Sequence, residues 1–219
     1  MPDSLFRIVL SLVIALALQQ LGSAGIIHAK ANLAPLLLAR AWEESRLNHG
    51  APVKPWPWAD TWPVAQLKVP ALGVSQFVLA GDTGNALAFG PGHNNASAPL
   101  GSSGLAMIGG HRDTHFGFLE HIQAGQKILL LLPNGRSRRY RVQQTIVDSA
   151  DDKVKWPSHT EQLLLVTCYP FDADLPGGSQ RYVVIAKPEP ESEIASRALS
   201  SAALIAQAFP TKERQHVSL

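Results

Sequence analysis

Between residues 64 and 186 the chain alternates short runs of aliphatic and β-branched residues with clusters of Gly, Pro and Asn. Seven runs stand out: VAQLKV (64–69), SQFVLA (75–80), LAMIGG (105–110), KILLLL (127–132), RYRVQQTIVD (139–148), QLLLVT (162–167) and RYVVIA (181–186). Strands of this length and spacing predict a closed or sandwich-like all-β domain. Pro133-Asn134-Gly135 predicts a hairpin that pairs 127–132 with 139–148, with positive φ at both central positions of an Asn-Gly turn. Only Phe116 to Ile122 reads as a short helix inside the domain, with Phe118 and Ile122 on one face and Gly125 as its stop. It is expected to pack on a barrel mouth.

The flanks follow other patterns. Leu5 to Leu21 is apolar except for Arg7, Ser11, Gln19 and Gln20, and the run continues to Ile27. A helix needs roughly 20 apolar residues to cross a ~30 Å hydrocarbon layer, and Ile8 to Ile27 supplies that length. Arg7 precedes the run, so the positive-inside bias leaves the N-terminus in the cytoplasm and the remainder outside. Ala29-Lys30-Ala31 has the small-x-small form of a signal-peptidase site. Retention as an anchor is the favoured reading, because the run exceeds a usual signal core and Leu33 to Arg46 continues as a helix. Asn48 to Pro63 then holds four prolines and three tryptophans in sixteen residues, which forbids a regular helix or a central strand. Trp56, Trp58 and Trp62 are expected to pack on the domain, with membrane-interface anchoring as the other role open to them. The organisation expected is an anchor over 1–30, a helix and Pro/Trp linker over 31–63, the β-domain over 64–188, and a linker with a peripheral helix over 189–219.

Composition narrows the function. The formal charge of +2 over 219 residues comes from scattered Lys and Arg with no block of like charge, so no nucleic-acid partner is implied. Cys168 is the single cysteine; in an exported chain it has no internal disulfide partner and is open to oxidation. It also ends the run LLLVT just before Tyr169-Pro170, where a strand stops and a loop begins. That address fixes a side chain on a rigid element yet leaves it reachable. His111 closes a second strand-to-loop junction, in GGHRDTHF, where Gly109 and Gly110 permit close backbone approach. Arg181 opens the strand after Cys168, so antiparallel neighbours would carry both side chains to one end of a sheet, where a guanidinium stabilises a thiolate or an oxyanion. His111 and His115 have a zinc-like separation, but no second cysteine or later His cluster completes a ligand set. No metal or cofactor is called for.

LLVTC at 164–168 resembles the TLxTC signature of sortases, with Leu164 in place of the first Thr. GGHRDTHFGFLEHIQAGQKI (109–128) is similar to the sortase GHR segment, and Arg181 matches the arginine that follows the signature. PWPWADTWPVA, LAFGPGH and TCYPFDA make the likeness strongest to the sortases of Gram-negative bacteria. The resemblance implies an eight-stranded antiparallel β-barrel and a catalytic His111, Cys168 and Arg181. It also implies a cysteine transpeptidase of the thiol-protease, hydrolase class. The substrate would be an exported protein, possessing a C-terminal LPxTG-like signal, that is transferred to an amine acceptor at the outer side of the inner membrane. A cysteine hydrolase releasing its substrate to water, and a non-catalytic envelope domain with a structural Cys168, remain the alternatives.

Overall fold

Pro63 to Val69 shows how the sequence builds the sheet: Ala65, Leu67 and Val69 are buried, and Val64, Gln66 and Lys68 between them are partly exposed. That is the period of two imposed by a pleated strand. The structure, a computed structural model, describes residues 2–84, 86–149, 160–173, 175 and 177–190, without the side chains of 2–5, 18 and 21–32. Its described strands are β1 (Pro63–Val69), β2 (Val74–Ala80), β3 (Gly92–His93), β4 (Leu105–Gly109), β5 (Lys127–Leu131), β6 (Ser137–Ser149), β7 (Gln162–Tyr169) and β8 (Gln180–Pro188). They close into a barrel in the order β1-β2-β3-β4-β7-β8-β6-β5. Leu67, Ile108, Leu130, Leu165 and Val184 fill its interior.

The closed eight-stranded barrel agrees with expectation, but its pairing does not. β2 with β3 and β4 with β7 run parallel, so the barrel is mixed rather than antiparallel. Alternation within a strand reports its buried face and says nothing of its direction. The eighth strand is not among the seven runs that the sequence shows, and Ala86–Ala88 nearby forms a 3-10 turn instead. That strand is Gly92–His93, two residues wedged between β2 and β4. A Cβ on Gly92 would lie 2.0 Å from the Gly81 carbonyl oxygen, so glycine is the side chain this approach admits.

The 127–149 hairpin forms in the expected pairing, with different turn chemistry. Gly135 alone takes positive φ, at 83°, and Leu132 both donates to the Arg136 carbonyl and accepts from the Gly135 N–H. The turn spans Leu132 to Gly135 and so has Pro133 as its first central residue, where a φ fixed near −65° is incompatible with a type I′ turn. The expected short helix is a 3-10 turn, Gly117–His121. Phe116, Leu119 and Ile122 point from it into the barrel core.

One helix, α1 (Pro2–Leu47), precedes the barrel and runs without interruption through the expected boundary at residue 30 and through Pro35. Its last third docks on the outer face of β2. Leu38 packs with Leu79, and the Trp42 ring lies 5.7 Å from that of Phe77. Its beginning differs: from Phe6 to Leu16 the large apolar side chains are 46–68% exposed. The described residues contain no helix long and apolar enough to cross a membrane. At the other end Glu189 is still fastened to β6, through Arg141 and through its own N–H to the Arg139 carbonyl. The peripheral helix expected in the tail falls on 191–219, outside the described residues.

Candidate active site

β7 carries an apolar residue at nearly every position because both its faces are covered. Leu163 and Leu165 enter the barrel core, and Leu164 joins Val183 and Ile185 in a separate cluster on the outer face. Cys168 shares the parity of Leu164 and Val166, and Arg181 that of Val183 and Ile185, so both belong to the outer face. In the antiparallel β7–β8 ladder the two are direct partners, which sets their Cβ atoms about 5 Å apart. Cys168 is partly exposed and unpaired, which leaves its thiol accessible to a substrate.

β4 delivers the histidine. Gly109 is the register partner of Val166, and the Gly110 N–H donates to the Val166 carbonyl at 3.1 Å. Carried two residues onward, this parallel register brings the His111 backbone alongside Cys168. The second glycine has a steric cause: a Cβ on Gly110 would lie 2.6 Å from the ring of Phe116, which is buried in the core, whereas one on Gly109 would meet Asp82 at an ordinary contact distance of 3.5 Å. Thr167 completes the joint by donating its hydroxyl to the Gly110 carbonyl at 2.8 Å. The Thr before the cysteine therefore ties the strand of the thiol to the strand of the histidine.

His111 is exposed. Among the described residues no hydrogen bond joins His111, Cys168 and Arg181, and the Arg181 guanidinium instead donates to the carbonyls of Gly178, at 2.8 Å, and Gln180, at 2.9 Å. Cys168 and Arg181 share a face and an end of the sheet, with His111 two residues past the end of the neighbouring β4, and the three form no closed network. Sequence reading missed the role of Arg112. It is 4% exposed and donates to the carbonyls of Pro170, Ala173 and Leu175, and to Asp113. The Asp113 hydrogen bond raises its pKa against the opposing effect of burial, and the charges of Asp113 and Asp172 act in the same direction. Arg112 thus clamps the loop that follows Cys168. Tyr169, Phe171 and Tyr182 stiffen the same loop, with ring centroids 5.1–6.1 Å apart. A buried arginine is recognised by the carbonyls that surround it, and these lie some sixty residues away in sequence.

Of the remaining histidines near the site, His121 is exposed. His93 is bonded to Ala98 and Ser97. His115 is half-buried, and its backbone carbonyl accepts from Gln76 at 2.8 Å. Burial lowers its pKa, the neighbouring His111 lowers it further, and a hydrogen bond with the Ala88 backbone opposes them. No group of three metal-binding side chains stands together among the described residues.

The family profile for the sortase domain matches residues 67–189, from β1 through the end of β8. Among solved structures, the chain is similar to sortase A from Corynebacterium diphtheriae, at 25% identity and a TM-score of 0.54. That match covers 61% of this chain and 63% of the Corynebacterium one. A Clostridium perfringens sortase D transpeptidase aligns at 21% identity and a TM-score of 0.57, over 74% of this chain and 99% of its own. The catalytic domain of a Bacillus anthracis sortase D aligns at 27% identity and 0.50, over 58% and 88%. No curated protein matches the chain significantly.

Proposed function

Since the chain belongs to the sortase family, whose members are cysteine transpeptidases of the cell envelope, we propose that it cleaves an LPxTG-like C-terminal sorting signal and transfers the exported protein to an amine. Its likeness to the Gram-negative sortases, drawn from the motifs above, belongs to the same proposal. The observation that carries it is the pairing of Cys168 with Arg181 on the outer face, with His111 at the end of the adjoining parallel strand.

In this reading the Cys168 thiolate attacks the scissile carbonyl, and Arg181 turns from the Gly178 and Gln180 carbonyls to the oxyanion. His111 gives a proton to the departing amine, leaving a thioester on Cys168. The acceptor amine then attacks the thioester, His111 takes its proton, and the thiolate leaves. Arg112 acts as a positioning residue, because it holds the loop beside the thiol. The apolar side chains of Phe6 to Leu16, exposed on a continuous helix, support a membrane tether with the barrel on the extracytoplasmic side.

The test incubates the full chain with LPxTG-like peptides and excess amine, and follows products by mass. Amine-linked product together with an acyl adduct on Cys168 is the expected result. Free acid alone at saturating amine would favour a hydrolase. An unchanged turnover in Cys168→Ala would remove the thiol from the reaction altogether.

A further inference from the structure

The catalytic reading leaves the Pro/Trp stretch unused, and in the structure its three tryptophans part company. Trp62 is half-buried, Trp56 meets the Phe89 ring edge-on at 5.1 Å, and Trp58 stands 82% exposed. A domain that buries Trp42 to 4% exposure leaves its neighbour's large apolar surface in water. Trp58 has company: Leu33 and Leu36 on α1 are 51% and 68% exposed. Trp58, Leu33, Leu37, Trp56 and Phe89 line an open cavity of about 370 Å³, in which Asp60 is the one charged side chain.

The height of this patch is fixed by α1. Leu38, next to the cavity's Leu37, and Trp42, about one turn further on, are locked onto β2, and the same unbroken helix leads back to the exposed apolar side chains of Phe6 to Leu16. Ile27, the last residue of the apolar run, precedes Leu33 by six residues, a rise of about 9 Å along a helix. With Ile8 to Ile27 in hydrocarbon, the mouth of the cavity reaches the headgroup layer, the depth at which Trp is enriched. Lys54 lies on the adjoining surface, where a cation suits phosphate headgroups.

We infer that Trp58, Leu33 and Leu36 form a foot that seats the catalytic domain in the outer headgroup and glycerol region of the bilayer that α1 enters. This rests on the membrane tether proposed above and goes beyond it, because a tether alone leaves the barrel free to swing. The seat fixes the barrel's height and tilt over the surface from which a substrate emerges.

The experiment places the full chain in nanodiscs of anionic phospholipid brominated high on the acyl chain and reads quenching of tryptophan fluorescence. In Trp58→Ala the quenched fraction should fall about twofold, and in Trp62→Phe it should stay unchanged, as should peptide turnover in both. Unchanged quenching in Trp58→Ala, in a chain that still resists alkaline extraction from membranes, overturns the foot and leaves the tether standing. Extraction of the chain by alkali removes the tether and the foot together. Shielding of Trp58 only when an apolar substrate segment is added assigns the patch to that segment and overturns the lipid contact.

Discussion

Gly110 occupies a position where the demand on one residue is sharp. Its missing Cβ makes room for the Phe116 ring, and Thr167 holds its carbonyl. In Gly110→Ala either Phe116 leaves the core or the His111 backbone leaves Cys168. Turnover should fall at least about tenfold, far more than the fraction of folded protein measured by circular dichroism. Arg112→Lys keeps the charge and loses the planar fork that reaches three carbonyls. A loss of about tenfold or more in kcat/KM is expected, and faster proteolysis within 170–179 would separate this positioning role from a direct one. His115 protonates less readily in the folded protein than in the unfolded chain. Below the unfolded value near 6.5, the unfolded chain therefore binds more protons, and stability falls as pH drops from 6.5 toward the lower folded value. His115→Gln should flatten that part of a melting-temperature profile, and an unchanged slope would place the acid sensitivity elsewhere.

Among the elements, legibility followed the length of the pattern. Seven strands stood out within a residue or two because each buries alternate or consecutive side chains over five residues or more. β3 escaped because two residues have no period, and Gly-Pro-Gly reads as a turn. Strand direction escaped because β4 and β7 become neighbours only after the β5–β6 hairpin has been inserted between them in sequence. The residues proposed for the site stood out in the same uneven way. Cys168, His111 and Arg181 each sit at a strand end flanked by Gly, Pro or an apolar run. Arg112 was invisible, since its partners are backbone carbonyls contributed by a distant loop. The helix was legible as two pieces, yet it folds as one, because Leu38 and Trp42 give its last third an apolar face to bury. Trp42→Ala should cost about 3 kcal/mol in urea unfolding by leaving a cavity over Phe77, and it should loosen α1 from β2 without dismantling the barrel.

For the whole molecule, enzyme and substrate held on one surface meet at raised effective concentration. Removal of residues 2–30 should leave turnover of a soluble peptide within about twofold, and should depress processing of a membrane-held substrate by about a hundredfold. Equal losses on both substrates would count against tethering as the source of the effect. The pairing of Cys168 with Arg181 has a further consequence for how such an enzyme diversifies. Their separation is set by the hydrogen-bond spacing of two strands, so changes in the loop away from the Pro170, Ala173 and Leu175 carbonyls that Arg112 holds leave the distance between the two side chains unaltered. On the proposed mechanism, the ladder keeps nucleophile and cation together while the unclamped part of that loop varies, so what such a protein recognises can change without reinventing the chemistry.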